Sequence, residues 1–330
     1  MKIVFFEVED WEMPILQKQF PEAVLTHDKP DTHNIEQYKD AEIVSCFIYS
    51  QLKKDVIDAI PGLKMIATRS TGFDHIDVAY AKSKGIIVSN VPEYGSRTVA
   101  EHTFALILAL TRRMYQSVAK TRLLDFDRAD IRGVDIFNKT IGIIGLGKIG
   151  IETLKIAKGF GMNVLVYTRT RNEELAHELG FTYADLNELL LKSDIISLHI
   201  PYSKNTHHII NKDNIKYFKR GSYLINTSRG GLIETEAIIL ALENNVLQGV
   251  GLDVLENEAK LEEEIEILTK SYKENVDLKT LVLEHILLSH PKVIITPHNA
   301  FNSKEALERI IYTTMDNIQG FIKGSTINLL

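Results

Sequence analysis

Ile141-Gly142-Ile143-Ile144-Gly145-Leu146-Gly147-Lys148-Ile149-Gly150 carries an isoleucine-rich apolar run straight into a G-x-G-x-x-G, with its glycines at 145, 147 and 150. Amphipathic helical sequence follows, with Thr153, Leu154, Ile156, Ala157 and Phe160. The order is strand, tight turn, helix. Each glycine has its own steric task in such a turn: one makes the bend, one lets backbone approach a pyrophosphate, and one lets helix pack on strand. The helix N-terminus adds free N–H groups and the positive end of a dipole. Strand before and helix after favour a dinucleotide site over a plain structural turn.

Outward from this turn the same rhythm extends in both directions. Downstream, strands are expected over 163–167, 195–199, 223–226, 246–253 and 293–296, with helices between them. Upstream, 1–92 alternates strands over 3–6, 23–26, 43–49, 65–68 and 86–89 with helices over 11–20, 53–59 and 76–84, the lengths of βα units. Asn90-Val91-Pro92 breaks that pattern, and a long helix over 98–120 follows, almost wholly apolar through 104–110. Such a stretch belongs in a core or an interface. After Pro297 a last helix, 303–323, cannot extend the second sheet and is expected to return to the first domain. The fold class is therefore α/β, with two Rossmann/flavodoxin-like parallel-sheet domains and an active-site cleft between them. Residues 1–97 plus 299–330 make a discontinuous substrate domain, and 98–298 the dinucleotide-binding domain. A Glu-rich helical stretch over 256–290, including Glu262-Glu263-Glu264, reads as a solvated face.

Composition bounds the function. The 330 residues are 45% hydrophobic and 25% charged, which excludes disordered and disulfide-scaffold classes. A formal net charge of -6, with Lys and Arg spread evenly, argues against nucleic acid as a partner. Cys46 is the only cysteine, so no internal disulfide forms and a reducing compartment fits. The N-terminus enters a strand without the regions of a signal peptide, and the run 104–110 is too short to span a bilayer. A cytoplasmic protein without a membrane partner is expected.

Three polar clusters follow second-domain strands, where open α/β sheets bind ligands. Asn226-Thr227-Ser228-Arg229-Gly230-Gly231 sets an arginine fork where it can clamp a carboxylate, or leaves it as a surface residue in a turn. Gly251-Leu252-Asp253-Val254-Leu255-Glu256-Asn257-Glu258 places acids that face a ligand or cap a helix. Thr296-Pro297-His298-Asn299-Ala300-Phe301 holds a histidine that can titrate near neutrality or serve as hydrogen-bonded structure. Taken together, an anion clamp, a proton donor and an acid to tune it form the set that reduction of a keto acid needs.

With these motifs in this order, the chain resembles the D-isomer-specific 2-hydroxyacid dehydrogenase family over essentially its full length. Ser70-Thr71-Gly72-Phe73-Asp74-His75-Ile76-Asp77, the stretch from Asn90 to Thr103, and Leu198-His199-Ile200-Pro201 with Thr206 match as well. The D-lactate dehydrogenase branch is nearest, because Asp-Val-Leu-Glu-Asn-Glu precedes a long helical insertion. The resemblance implies that Arg229 holds the substrate carboxylate, His298 exchanges the proton, and Glu258 pairs with His298 and raises its pKa. It implies substrate contacts from Tyr49, Tyr94, Phe301 and the backbone of Thr71 and Gly72. For the cofactor it implies Gly145, Leu146, Gly147, Lys148, Ile149 and Gly150, with Thr227 and Ser228; Asp253 at the carboxamide; and His199, Ile200, Pro201 and Thr206 along the adenosine. A homodimer through the apolar helix at 104–110 also fits the family, though the same helix fits a buried core.

One departure bears on the cofactor. NAD-selective folds carry an acid at the end of the second strand, whereas Val164-Leu165-Val166-Tyr167 runs into Thr168-Arg169-Thr170-Arg171. A hydroxyl followed by arginines suits a 2′-phosphate, so the choice between NAD and NADP leans to NADP. His102, His199, His207 and His208 lack metal-ligand spacing, and the adjacent His207 and His208 are expected to point different ways, so no metal is assigned. The expected reaction is pyruvate to D-lactate; the rivals are another 2-keto acid, such as glyoxylate or hydroxypyruvate, and a non-enzymatic dinucleotide sensor like the corepressors of this fold.

Overall fold

A computed structural model describes residues 1–256 and 278–330. They divide into two compact units, Met1–Gly95 with Asn302–Leu330, and Ser96–Phe301. Each is built on its own parallel sheet.

The first sheet contains β1 (Ile3–Phe5), β2 (Val24–Leu25), β3 (Ile43–Cys46), β4 (Met65–Thr68) and β5 (Ile87–Ser89), in the order β2-β1-β3-β4-β5. Alternate residues enter opposite cores, as a pleated strand covered on both faces requires. Val4, Val44 and Ile66 pack on one side; Ile3, Phe5, Ile43 and Met65 pack on the other against Ile311, Met315 and Ile318. Those last three come from the C-terminal helix Lys304–Ile322, whose N-cap Ser303 accepts a hydrogen bond from the Ala306 N–H at 3.2 Å. Chain order reverses between β1 and β3, so a crevice belongs at their C-terminal ends.

The second sheet contains β6 (Thr140–Ile144), β7 (Asn163–Tyr167), β8 (Thr182–Tyr183), β9 (Ile195–Leu198), β10 (Ser222–Asn226), β11 (Leu247–Leu252) and β12 (Val293–Ile295). Its order is β12-β11-β10-β9-β6-β7-β8, with the reversal between β6 and β9. The glycine turn leaves β6 at that switch point. Only β8, two residues long, escaped the sequence reading.

The helix expected over 98–120 is two helices, Ser96–Thr111 and Met114–Arg122, broken where Arg113 takes a left-handed φ of 49°. The cause is tertiary: the Val134 N–H donates to the Thr111 carbonyl at 2.8 Å and caps the first helix. Phe104, Ile107 and Leu110 are buried with Ile141, Ile143 and Ile225. Leu106 is buried with them, while Ala105 is exposed and Leu108 and Ala109 are half-buried, so the run is core on one side only. The end of the Glu-rich stretch is the helix Leu278–Ser289, while residues 262–264 lie outside the described residues. Among the described residues no helix is long and apolar enough to cross a membrane.

Candidate active site

The first strand of the second unit ends in a turn whose glycines have different reasons to be there. Gly145 has φ 102°, and a Cβ on it would strike the carbonyl oxygen of His199. One on Gly150 would strike the Gly145 carbonyl, whereas one on Gly147 would meet nothing within 4 Å. The first and third glycines are thus demanded by the fold, and the second faces open space. Gly147 is also the N-cap of the helix Lys148–Gly159 and caps it with no side chain. Open backbone plus uncapped N–H groups fit a pyrophosphate.

At the end of β7, Thr168 is half-buried and Arg169 is exposed. Arg169 makes no hydrogen bond or ion pair among the described residues. Arg171 is drawn away, with Nη2 3.0 Å from Asp185 Oδ1 and its guanidinium 5.6 Å from the Tyr183 ring centroid.

At the end of β9 the His199 N–H donates to the Ile144 carbonyl at 2.7 Å, closing the switch point. Its imidazole turns inward: it is buried, Nε2 lies 2.9 Å from Ser197 Oγ, and burial pulls its pKa down to about 3. What His199 offers the glycine turn is therefore backbone. Ile200 is half-buried and Pro201 exposed; Thr206 Oγ1 donates to the Pro201 carbonyl at 2.8 Å and accepts from the Ser203 N–H at 2.7 Å, closing its own turn. His207 and His208 do not diverge as expected. His208 adopts φ 49°, which stacks the two rings with centroids 3.7 Å apart. Tyr202 Oη lies 3.2 Å from His207 Nδ1, and His208 Nε2 lies 2.6 Å from Glu256 Oε1.

The arginine turn after β10 is held by Asn226, whose Nδ2 donates to the Arg229 carbonyl at 2.9 Å and whose Oδ1 accepts from the Ser228 N–H at 3.0 Å. Ser228 Oγ donates to the Leu198 carbonyl at 2.7 Å, and Thr227 Oγ1 lies 3.0 Å from Thr103 Oγ1. Any side chain at 230 would run into the Leu255 carbonyl. Arg229 is half-buried with Nη1 2.8 Å from the Ser228 carbonyl.

Asp253, 1% exposed, organises the next loop. Its carboxylate accepts from Thr296 Oγ1, from the Asn299 N–H at 2.7 Å and from the Ala300 N–H at 2.8 Å. Its carbonyl takes the His298 N–H at 2.9 Å. The turn so formed puts His298 at φ 49°, a strained choice for a residue with a Cβ and of a kind that clusters at functional sites. The Phe301 ring stands edge-on to it at 6.5 Å. Glu258 lies outside the described residues.

In the first unit, Tyr49, Thr71, Gly72 and Tyr94 all follow the C-terminal ends of β3, β4 and β5. Thr71 Oγ1 donates to the Val91 carbonyl at 2.7 Å, and Asn90 Nδ2 donates to the Thr71 carbonyl at 2.9 Å. Tyr49 is exposed, with Lys29 Nζ 4.9 Å from its ring centroid. Arg309 Nε donates to the Tyr94 carbonyl at 2.6 Å. The sequence reading gave no role to Glu7 and Arg69 and weighed His102 only as a metal ligand, yet they hold these loops and the His298 turn. Their signal was faint: a polar residue where a strand ends or on the apolar side of a helix.

The profile described as D-isomer specific 2-hydroxyacid dehydrogenase, NAD binding domain, matches residues 104–300. The D-lactate dehydrogenase of Escherichia coli is 34% identical, over 99% of this chain and 98% of its own length. The glyoxylate reductase of Thermococcus litoralis is 33% identical, over 97% of this chain and 88% of its own. Among solved structures, the D-lactate dehydrogenase of Aquifex aeolicus complexed with NAD and lactic acid matches with a TM-score of 0.86 and 37% identity, covering 98% of this chain and 96% of that one.

Proposed function

Because the chain belongs to the D-isomer-specific 2-hydroxyacid dehydrogenase family, an NAD-dependent family of oxidoreductases, we propose that its own reaction is the reduction of pyruvate to D-lactate. The observation that carries the reading is the turn built on Asp253, which holds His298 in a strained conformation at the end of β12.

Arg229 holds the substrate carboxylate with its fork and polarises the keto oxygen beside it. The bound dinucleotide supplies the hydride that the keto carbon accepts. His298 gives the keto oxygen a proton, so the carbonyl becomes a hydroxyl, and takes that proton back in the reverse direction. In this reading Glu258 pairs with His298. Backbone N–H groups of Thr71 and Gly72 bind the substrate carboxylate, and Tyr49, Tyr94 and Phe301 border its side chain. The pyrophosphate lies on the N–H groups from Leu146 to Gly150, with Thr227 and Ser228 nearby. Ile200, Pro201, Thr206 and the His199 backbone border the adenosine, and Asp253 meets the carboxamide in addition to holding its turn. The working form is a homodimer in the cytoplasm.

A kinetic panel of pyruvate, glyoxylate, hydroxypyruvate and a bulkier 2-keto acid, each with NADH and NADPH, tests the substrate. Pyruvate should give the highest kcat/KM; a higher value for glyoxylate would replace it, and the relatives include reductases of that name. Arg229→Ala or His298→Ala should lower kcat/KM by roughly a thousand-fold or more, and wild-type turnover in either removes the mechanism. The cofactor in this reading is NAD or NADP, and Thr168 with Arg169 after β7 favours NADPH through its 2′-phosphate. Thr168→Asp should move the preference toward NADH by about a hundred-fold, since an acid there repels the phosphate and accepts the ribose hydroxyls. An unchanged ratio places the discriminating contact elsewhere.

A further inference from the structure

His102, on the helix Ser96–Thr111, reaches the His298 turn through its imidazole. Its Nε2 lies 3.1 Å from Thr296 Oγ1 and 3.5 Å from Asp253 Oδ1. The proton inventory decides the direction of these contacts. A threonine hydroxyl has one proton, and an ionised carboxylate can only accept, so the Thr296 proton goes to Asp253. The Thr296 oxygen then presents a lone pair to His102, and Nε2 must carry the hydrogen. Both the Nε2–H tautomer and the imidazolium meet that condition.

The consequence is a chain of donors, His102 to Thr296 to Asp253, ending on the carboxylate that also gathers the N–H groups of Asn299 and Ala300. Around it the helix is anchored, with Val99, Ala100, Thr103 and Phe104 buried. We infer that His102 is a positioning residue: by donating from Nε2 to Thr296 it ties the turn carrying His298 to a rigid helix and fixes where the proton donor stands. This rests on the reading of His298 as the acid. Losing the tie leaves Asp253 and the backbone donors in place but lets the turn drift, and small displacements of a proton donor are costly to rate.

The test uses the full-length enzyme with pyruvate or glyoxylate and both cofactors, in five variants: His102→Leu, His102→Gln, Thr296→Val, Thr296→Ser and His298→Ala. His102→Leu and Thr296→Val should each lower kcat by roughly ten-fold, with the KM for cofactor within about two-fold and a larger solvent deuterium isotope effect on kcat. His102→Gln keeps an N–H donor and Thr296→Ser keeps the hydroxyl, so both should recover most of the rate. Wild-type kcat in His102→Leu overturns the inference, and so does a loss in the Gln and Ser variants equal to that in Leu and Val. Should His102→Leu fail to fold, the Thr296 pair decides in the same way. An active His298→Ala would instead remove the underlying reading of the acid, which separates the two failures.

Discussion

At the scale of single residues, His199 carries a pH dependence that the fold imposes. It is 8% exposed, Nδ1 has no hydrogen-bond partner among the described residues, and burial holds the ring neutral down to a pKa of about 3. The unfolded chain binds a proton at the ordinary value of 6.5. Above 6.5 neither state is protonated and the contribution to stability is complete. Below it the unfolded state takes up a proton that the folded state refuses, so stability falls by about 1.4 kcal/mol per pH unit until the folded pKa is reached. Urea denaturation of wild type and His199→Gln should show the wild type losing about 2 kcal/mol more between pH 6.5 and pH 5. Equal losses would mean that the buried ring is solvated in some way the structure does not show. The inward turn of this residue could not be read in the sequence, where Leu198-His199-Ile200-Pro201 looks the same whichever way the imidazole faces.

Elements decide how loops are held, and the first sheet shows it at its own switch point. Glu7 follows β1 with φ 53°, and its carboxylate reaches across to the loop after β3. It accepts from the Phe47 N–H at 2.8 Å, the Tyr49 N–H at 3.0 Å and the Ser50 hydroxyl. Arg69, 1% exposed, locks the other side of Glu7: Nη2 donates to the carbonyls of Phe6 and Glu7, both at 2.7 Å, and Nε lies 3.6 Å from Glu12. Burial pushes the Glu12 carboxyl up, and Arg69 opposes the shift. Three hydrogen bonds accepted by one carboxylate, one of them from the Tyr49 N–H, set where the loop that carries Tyr49 stands. Glu7→Ala should therefore raise the KM for the keto acid by roughly ten-fold while changing kcat less, and Glu7→Gln should do so more weakly. A KM unchanged in both variants would detach Tyr49 from substrate binding. Sequence periodicity revealed the strands because both faces of each sheet are covered, which makes every strand a short apolar run. It failed where distant backbone decides: the Ser96–Thr111 helix stops because Val134 caps it, and Asp253 turns to a loop more than forty residues on. The strand ends that carry polar residues were legible, but not which of their side chains hold the turns themselves.

For the whole molecule, the question is what covers the apolar surface that the second unit leaves outside. In the run 104–110, Phe104, Leu106, Ile107 and Leu110 are buried, while Ala105 is exposed. The large exposed apolar side chains come after that run: Tyr115 at 72%, Leu123 and Leu124 at 82%, Phe126 at 73% and Phe137 at 65%. Burying each such side chain contributes about 1.5–3 kcal/mol, enough in sum to offset much of the entropy lost when two chains associate. In the proposed homodimer these side chains would meet a second copy of the chain, because a two-fold interface presents one surface to itself. Light scattering after size exclusion should give about twice the chain mass of 37.4 kDa for wild type. Leu124→Glu combined with Phe126→Glu sets two carboxylates against their own copies and should shift the population to monomer at micromolar concentration. Cofactor binding should persist in that variant, since neither Leu124 nor Phe126 packs on the glycine turn. A monomeric wild type, or a double variant that stays dimeric, would assign these side chains to some other covering.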